Sequence, residues 1–155
     1  MNPLRCPAVL VEQSLQAMRD AGARRTERVV LWLSKRPVSP QNPIVEAFVP
    51  EQRVAIDYFR IPPASMTALM THLRVHKLAL AAQIHSHPAE AFHSRADDTW
   101  AIVRHEGALS LVVPYFAAQT TLENFSDQIA MFRLSALDQW CEIPRRDLAH
   151  YLEII

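Results

Sequence analysis

The sequence has few of the features that mark secreted, membrane-spanning or nucleic-acid-binding proteins. It contains only two cysteines, Cys6 and Cys141, whose separation matches no metal-binding or redox motif, and this predicts a reduced protein. Basic and acidic residues number 16 each, so the zero formal net charge offers no electrostatic attraction to nucleic acid or to an anionic membrane. The chain has no apolar run of the roughly 18 residues that a membrane span needs, and its N-terminus lacks a signal-peptide pattern. We therefore expect a cytoplasmic protein that binds neither nucleic acid nor membrane.

What the chain does contain is ordinary for a globular domain. Its 155 residues are 50% apolar and 21% charged, which predicts one domain over residues 1–155 with its own core. Helical and strand periodicities alternate along the chain, and this order predicts an α+β fold in which helices flank a curved mixed sheet. The first predicted helix covers 8–21 and is ended by Gly22, and the second begins near 65 with Ser65 as its candidate cap. The other predicted helices cover 94–105 and 145–152, and the predicted strands cover 27–33, 44–48, 54–61, 78–84, 108–116, 129–134 and 139–143.

The most informative stretch begins at the end of the apolar run 78–84, where the sequence is His85-Ser86-His87-Pro88. Side chains two positions apart on a strand point to the same side, so His85 and His87 face the same way. Pro88 then interrupts the strand. With the carboxylate of Asp97 ten positions after His87, three ligands can converge on one metal ion. Two imidazoles and a carboxylate that leave a position for water are typical of a catalytic zinc site, although two spaced histidines alone are equally consistent with surface or core residues.

Ser94 and Asp97 follow the spacing of a helix N-cap with an acidic residue in the first turn. Such a cap is a sufficient explanation for both residues by itself, but it does not require the two histidines upstream. Asp98 is an alternative to Asp97, because a shift of one residue presents either carboxylate to a metal.

Together, the His-Ser-His-Pro stretch and the Ser-x-x-Asp that follows it resemble the signature of the JAMM (JAB1/MPN/Mov34) metalloproteases. The resemblance implies that His85, His87 and Asp97 bind one zinc ion per chain and that Ser94 stabilises the tetrahedral intermediate. It also implies an MPN/JAB-like (cytidine-deaminase-like) fold over nearly the whole chain. Five residues separate Pro88 from Ser94, one fewer than in many members, and this shorter form is similar to bacterial members found beside ubiquitin-like conjugation systems.

The same resemblance implies that a glutamate on an early strand acts as general base. Glu27 has this position, at the start of the strand that follows the first helix, and we favour it. Taken alone, it is better explained as a solvated acid at the end of a strand. Glu46, within the predicted strand 44–48, is the alternative base. His72 and His76 have helical spacing that suits a metal, but without a third ligand nearby in the sequence we expect them to be surface residues.

The implied function is that of a zinc isopeptidase or peptidase that cleaves after the C-terminal tail of a ubiquitin-like protein. The expected partners are that protein, its conjugates and E1/E2-like proteins of the same system, by analogy one of bacterial antiviral defence. One alternative is a catalytically silent MPN-like scaffold. Another is a different metal hydrolase, such as a deaminase or an amidase; a deaminase requires a Pro-Cys-x-x-Cys motif that the chain lacks.

Overall fold

A six-stranded mixed sheet forms the centre of the computed structural model, which describes residues 2–54, 59–94, 97, 98 and 101–155. The strands of the described residues are β1 (Leu4–Cys6), β2 (Val29–Lys35), β3 (Ile44–Phe48), β4 (Arg53–Val54), β5 (Phe59–Arg60), β6 (Leu78–Ser86), β7 (Leu109–Val113), β8 (Ala130–Leu134), β9 (Trp140–Glu142) and β10 (Leu152–Ile154). The helices are α1 (Ala8–Gly22), α2 (Pro63–His76) and the short α3 (Phe125–Gln128), with 3₁₀ turns at Tyr115–Ala117 and Arg145–His150. None of the described helices combines the length and apolar character of a membrane span.

The strand order in the central sheet is β3-β2-β6-β7-β8-β9. Only β6 and β7 run parallel, and the other pairs are antiparallel. This arrangement confirms the predicted α+β class. Because β6 lies between β2 and β7, both its edges are hydrogen-bonded and its C-terminal end is buried in the sheet.

One face of the sheet packs on α1. The helix presents Val11, Leu15 and Met18, all fully buried, to a cluster that includes Val30 and Trp32 of β2. The indole N–H of Trp32 donates to the Ser14 hydroxyl at 2.9 Å, so the polar atom of this large side chain is satisfied inside the core. The helix ends at Gly22, as predicted, where the backbone passes close to Phe116: a Cβ at residue 22 would lie 2.4 Å from the Cβ of Phe116.

The opposite face of the sheet packs on α2. Leu69 and Leu73 of this helix contact the other side of β2, at Val29, Leu31 and Leu33. Since antiparallel partners share a face and Val29 is paired with His85, the two histidines of β6 belong to this second face. The helix begins at Pro63, after Pro62, and no side chain caps it, so the predicted cap at Ser65 is wrong. Proline suits the first helical position, because the N–H that it lacks would have no partner within the helix and its φ angle is already helical.

Several predicted boundaries are wrong. In the helix predicted over 94–105, residues 97 and 98 are helical but residues 101–105 are not. The side-chain carbonyl of Gln83 instead accepts the backbone N–H groups of Ile102 and Val103 at 2.9 and 3.3 Å. The interior of the strand predicted over 54–61 lies outside the described residues. Its ends belong to two strands, since Val54 pairs antiparallel with Phe59.

The two ends of the chain form a parallel ribbon for which the sequence gives no signal. Leu4 pairs with Leu152 and Cys6 with Ile154. The helix predicted over 145–152 is instead a 3₁₀ turn that ends at His150, and β10 begins at Leu152. Strands of three residues are too short to show a periodicity of their own, and for that reason this pairing left no signal in the sequence.

Candidate metal centre

The C-terminal end of β6 presents two buried imidazoles side by side. His85 and His87 are 0% and 3% exposed, respectively, and their ring centroids lie 5.1 Å apart. The backbone of His87 is held on both sides, because its N–H donates to Val113 at 2.9 Å and its carbonyl accepts from Phe116 at 2.8 Å. The two side chains therefore project from a backbone that is fixed by neighbouring segments.

A carboxylate from the next segment completes the cluster. Asp97 Oδ2 lies 3.0 Å from His87 Nε2, and Asp97 Oδ1 lies 3.2 Å from His85 Nε2. The two Nε2 atoms are 3.3 Å apart. One ligand atom from each of the three residues lies within 4.8 Å of the others, and within the part of the chain that the structure describes this is the one cluster of its kind.

The donor set fits a divalent metal. Two imidazole nitrogens and one carboxylate oxygen are ligands that zinc accepts, and three protein ligands leave a fourth position for water. The three donor atoms already face one another in a buried site, so the residues present suit the metal that the sequence predicts. The roles of the individual ligands stay a prediction.

Electrostatics favour the protonation states that a metal requires. Burial lowers the pKa of His85 below its ordinary value, against the opposing effect of the Asp97 carboxylate. For Asp97, burial by itself raises the pKa, but hydrogen bonds from His85, His87 and the Ser94 backbone outweigh it and hold the pKa well below its usual range. A neutral imidazole and an ionised carboxylate are the forms that bind metal ions.

Asp97 and Ser94 hold each other in place. The Ser94 backbone N–H donates to Asp97 Oδ2 at 2.7 Å, and the Asp97 backbone N–H donates to Ser94 Oγ at 3.0 Å. This reciprocal pairing is the capping-box geometry that the Ser-x-x-Asp spacing indicates. Since the Ser94 oxygen accepts in this pair, the pair does not use the hydrogen of the Ser94 hydroxyl.

Asp98, the alternative third ligand, has a different environment. Its side chain is 55% exposed and its carboxylate pairs with Nδ1 of His93. The structure therefore brings Asp97, and not Asp98, to the two histidines. His93 is a residue that the sequence analysis did not single out.

Glu27 lies two residues before β2, the strand that pairs with β6. Val29 is paired with His85. The preceding residue, Arg28, makes two hydrogen bonds with Ser86: its carbonyl accepts from the Ser86 N–H at 3.1 Å, and its N–H donates to the Ser86 hydroxyl at 3.0 Å. Continuing this register places Glu27 opposite His87 and on the same face. Glu27 is 1% exposed, which excludes the explanation as a solvated strand-end acid.

Glu46, the alternative base, lies elsewhere on the sheet. It is opposite Leu33, four residues along β2 from Val29, or about 13 Å at the rise of a strand. Its carboxylate pairs with Nε2 of His72 at 2.7 Å. His72 is half-buried and not simply a surface residue as expected, whereas His76 is exposed. Neither histidine belongs to the metal cluster found among the described residues.

Comparison with known proteins assigns the fold and the family. No family model matches the chain. A solution structure of a protein from Desulfitobacterium hafniense matches with a TM-score of 0.69 at 15% identity, over 98% of this chain and 92% of that one. The crystal structure of a JAB1/MPN domain protein from Archaeoglobus fulgidus matches with a TM-score of 0.52 at 13% identity, over 99% and 98% of the two chains. The fold is that of the JAB1/MPN proteins.

A sequence relative is closer. A probable metalloprotease from Sinorhizobium fredii (strain NBRC 101917 / NGR234) is 33% identical over 144 residues, which cover 88% of this chain and 85% of the relative. The chain belongs to the JAMM (JAB1/MPN) metalloprotease family. The family, the fold and a cluster able to hold a metal together support a metal-dependent peptidase.

Proposed function

We propose that this protein is a zinc-dependent isopeptidase or peptidase that cleaves after the C-terminal tail of a ubiquitin-like protein. The observation that carries the proposal is the buried cluster of His85, His87 and Asp97, with Glu27 buried just before the adjacent strand β2. A catalytically silent scaffold would have no reason to retain three ligands and a buried acid together. We further propose that the protein acts in the cytoplasm, beside E1/E2-like proteins of a bacterial antiviral conjugation system.

The residues divide the chemistry among them. When bound, the zinc ion supplies Lewis acidity, which activates a water molecule and polarises the scissile carbonyl. Glu27 takes a proton from the attacking water and transfers it to the departing amine as the carbon–nitrogen bond breaks. Ser94 donates the hydrogen that its contact with Asp97 leaves available, and this stabilises the developing oxyanion.

An extended substrate tail can bind by pairing with a strand edge close to the cluster. The β4–β5 ribbon offers such an edge. Gln52, just before β4, donates to the Val29 carbonyl at 3.1 Å and accepts from the Val29 N–H at 2.8 Å. The start of the ribbon therefore lies against Val29, two residues after Glu27 in the sequence. A flexible C-terminal tail suits this mode of binding, because it can become extended and so pair through its backbone with the strand edge.

Two substrates test the proposal. In one, a ubiquitin-like protein is joined through its C-terminal carboxyl group to the side-chain amine of a lysine in a labelled peptide, and in the other to the N-terminus of the same peptide. We expect zinc-loaded protein to release the peptide at that bond, chelation to stop the release, and added zinc to restore it. His87→Ala should be inactive throughout.

Three results would contradict the proposal. Cleavage that survives chelation or His87→Ala would exclude the metal mechanism. Equal cleavage of an unfolded protein such as casein would leave a metalloprotease without the proposed specificity. Binding of both conjugates by zinc-loaded protein without any cleavage would favour the scaffold.

A further inference from the structure

A buried chain of polar side chains lies beside the metal cluster, on the same face of the sheet. Gln83 and Ser110 are register partners on β6 and β7, both 0% exposed, and Gln83 Nε2 donates to Ser110 Oγ at 3.1 Å. The Ser110 oxygen also lies 3.1 Å from Nε2 of His93, and Nδ1 of His93 pairs with the Asp98 carboxylate. Burying two polar residues in otherwise apolar central strands costs free energy unless they are hydrogen-bonded. Here their hydrogen bonds link the sheet to the segment that carries Asp97.

The hydrogens of this chain have one consistent arrangement around a neutral His93. The Asp98 carboxylate can only accept, so His93 Nδ1 carries the proton. Nε2 then offers a lone pair, and the Ser110 hydroxyl donates to it while accepting from Gln83. Every member is satisfied, and removing the ring nitrogens of His93 breaks the chain at its centre.

The order Asp98, His93 and Ser110 is that of a catalytic triad, but the geometry excludes that role. A nucleophilic serine must be reached by the substrate. Ser110 is fully buried in the middle of β7, with both neighbouring strands paired to it. This chain of polar side chains therefore does not supply a nucleophile.

The same polar chain holds the segment that carries Asp97 at two points. At its start, His93 and Asp98 enclose Ser94 and Asp97 in the sequence, so the link to Ser110 holds this turn against β7. Further along, the Gln83 carbonyl accepts the backbone N–H groups of Ile102 and Val103. Gln83 is two residues before His85 on β6, so the strand that supplies the two histidines also anchors the segment that supplies Asp97.

Aromatic packing adds to this anchorage. The His93 side chain is 4% exposed, and its ring lies 4.8 Å from that of Phe132 and 5.2 Å from that of Trp140. Its centroid is 6.1 Å from that of His85, so it borders the cluster without supplying one of the three clustered ligand atoms.

We propose that His93, held by Ser110 and Gln83, is a positioning residue that sets the location of Asp97 and Ser94 relative to the two histidines. The inference rests on the proposed function in requiring a bound metal at this cluster, but it does not depend on which substrate is cleaved. It predicts that breaking the chain weakens metal binding and alters the metal's coordination while leaving the fold in place.

The central variant is His93→Phe, which retains a ring for Phe132 and Trp140 but has neither nitrogen. We expect its zinc affinity, measured by competition with a chromogenic chelator, to fall about 10- to 100-fold, the usual effect of losing an outer partner of a metal site. The absorption spectrum of the cobalt-substituted protein should change as well. His93→Gln, whose amide can reach Ser110, should recover part of the affinity. His150→Phe replaces an exposed histidine and is the matched control.

Melting of the metal-free proteins separates positioning from unfolding. If His93→Phe fails to fold, Ser110→Ala cuts the same chain with a smaller change and should weaken zinc binding in the same direction. Native zinc affinity and a native cobalt spectrum in a folded His93→Phe or Ser110→Ala would overturn the inference. Native protein that binds zinc but cleaves neither conjugate would contradict the proposed function alone, and native protein that binds no metal would overturn both.

Discussion

Ser94 and Asp97 hydrogen-bond each other in both directions, through the Ser94 N–H to Asp97 Oδ2 at 2.7 Å and the Asp97 N–H to Ser94 Oγ at 3.0 Å. The same Oδ2 lies 3.0 Å from His87 Nε2. One helix cap therefore orients a candidate metal ligand and does not use the hydrogen of the Ser94 hydroxyl.

This relationship predicts that Ser94→Ala separates turnover from metal binding. Loss of the oxyanion donor should lower kcat by about 10²- to 10³-fold, the usual effect of removing one such donor. Zinc affinity should change much less, because the Ser94 N–H still binds Asp97. Ser94→Thr keeps the hydroxyl and is the matched control. Unchanged kcat in Ser94→Ala would show that the hydroxyl has no part in the reaction.

The environments of the two adjacent aspartates predict opposite results for one substitution. Asp97→Asn should lose most of the bound zinc, because the buried carboxylate that faces both histidines is neutralised. Asp98→Asn should retain a full equivalent, with at most the weaker affinity expected from a disturbed His93. Elemental analysis of both purified variants measures this. A metal-free Asp98→Asn beside a loaded Asp97→Asn would reverse the ligand assignment.

The general base can be tested with a second matched pair. Glu27→Gln keeps the size of the side chain but cannot accept a proton, so kcat should fall by about 10²- to 10⁴-fold with metal content unchanged. Glu46 lies opposite Leu33, about 13 Å along β2 from Val29, and pairs with His72, so Glu46→Gln should retain its turnover. Near-native turnover by Glu27→Gln would mean that the base has been assigned to the wrong residue.

The two thiols should differ in reactivity. Cys6 is fully buried, and burial raises its thiol pKa from 9.0 to about 12, whereas Cys141 is exposed. Because the folded pKa is the higher one, the protonated thiol contributes stability that is fully present below pH 9 and is lost as the pH rises towards about 12. At pH 8 a chromogenic disulfide reagent should therefore modify one thiol per folded chain and two after denaturation.

Cys141→Ser provides the control for this measurement. The folded variant should show no reactive thiol at pH 8, and unfolding should expose one. Rapid modification of Cys6 in the folded variant would mean that the β1–β10 ribbon opens readily and does not bury this residue in solution.

The sequence predicted much of what positions the candidate site, because its signals are local. The largely apolar run before His85 indicated a buried strand, and the period of two put His85 and His87 on one side of it. The Ser-x-x-Asp spacing similarly indicated the cap that holds Asp97. Each of these inferences needs only the geometry of one strand or one helical turn.

What the sequence could not predict depends on contacts between distant segments. The segment after Asp98 is not helical at residues 101–105 because a side chain of β6 accepts its backbone N–H groups, and no periodicity in that segment reveals this. The role of His93 likewise depends on Ser110, on a strand that follows it. The sequence does contain one signal, since Gln83 and Ser110 are polar residues within apolar strands. That signal indicates buried hydrogen bonds but does not show that His93 is the partner of Ser110.

The metal content of the purified protein decides whether the cluster of His85, His87 and Asp97 binds zinc. Protein purified with zinc supplied at neutral pH, then desalted, should contain about one zinc ion per chain by elemental analysis, as a single three-ligand site requires. His85→Ala should contain almost none, while His76→Ala, a histidine outside the cluster, should match the native protein. Native protein that binds no metal under these conditions, or His85→Ala that retains a full equivalent, would contradict the account.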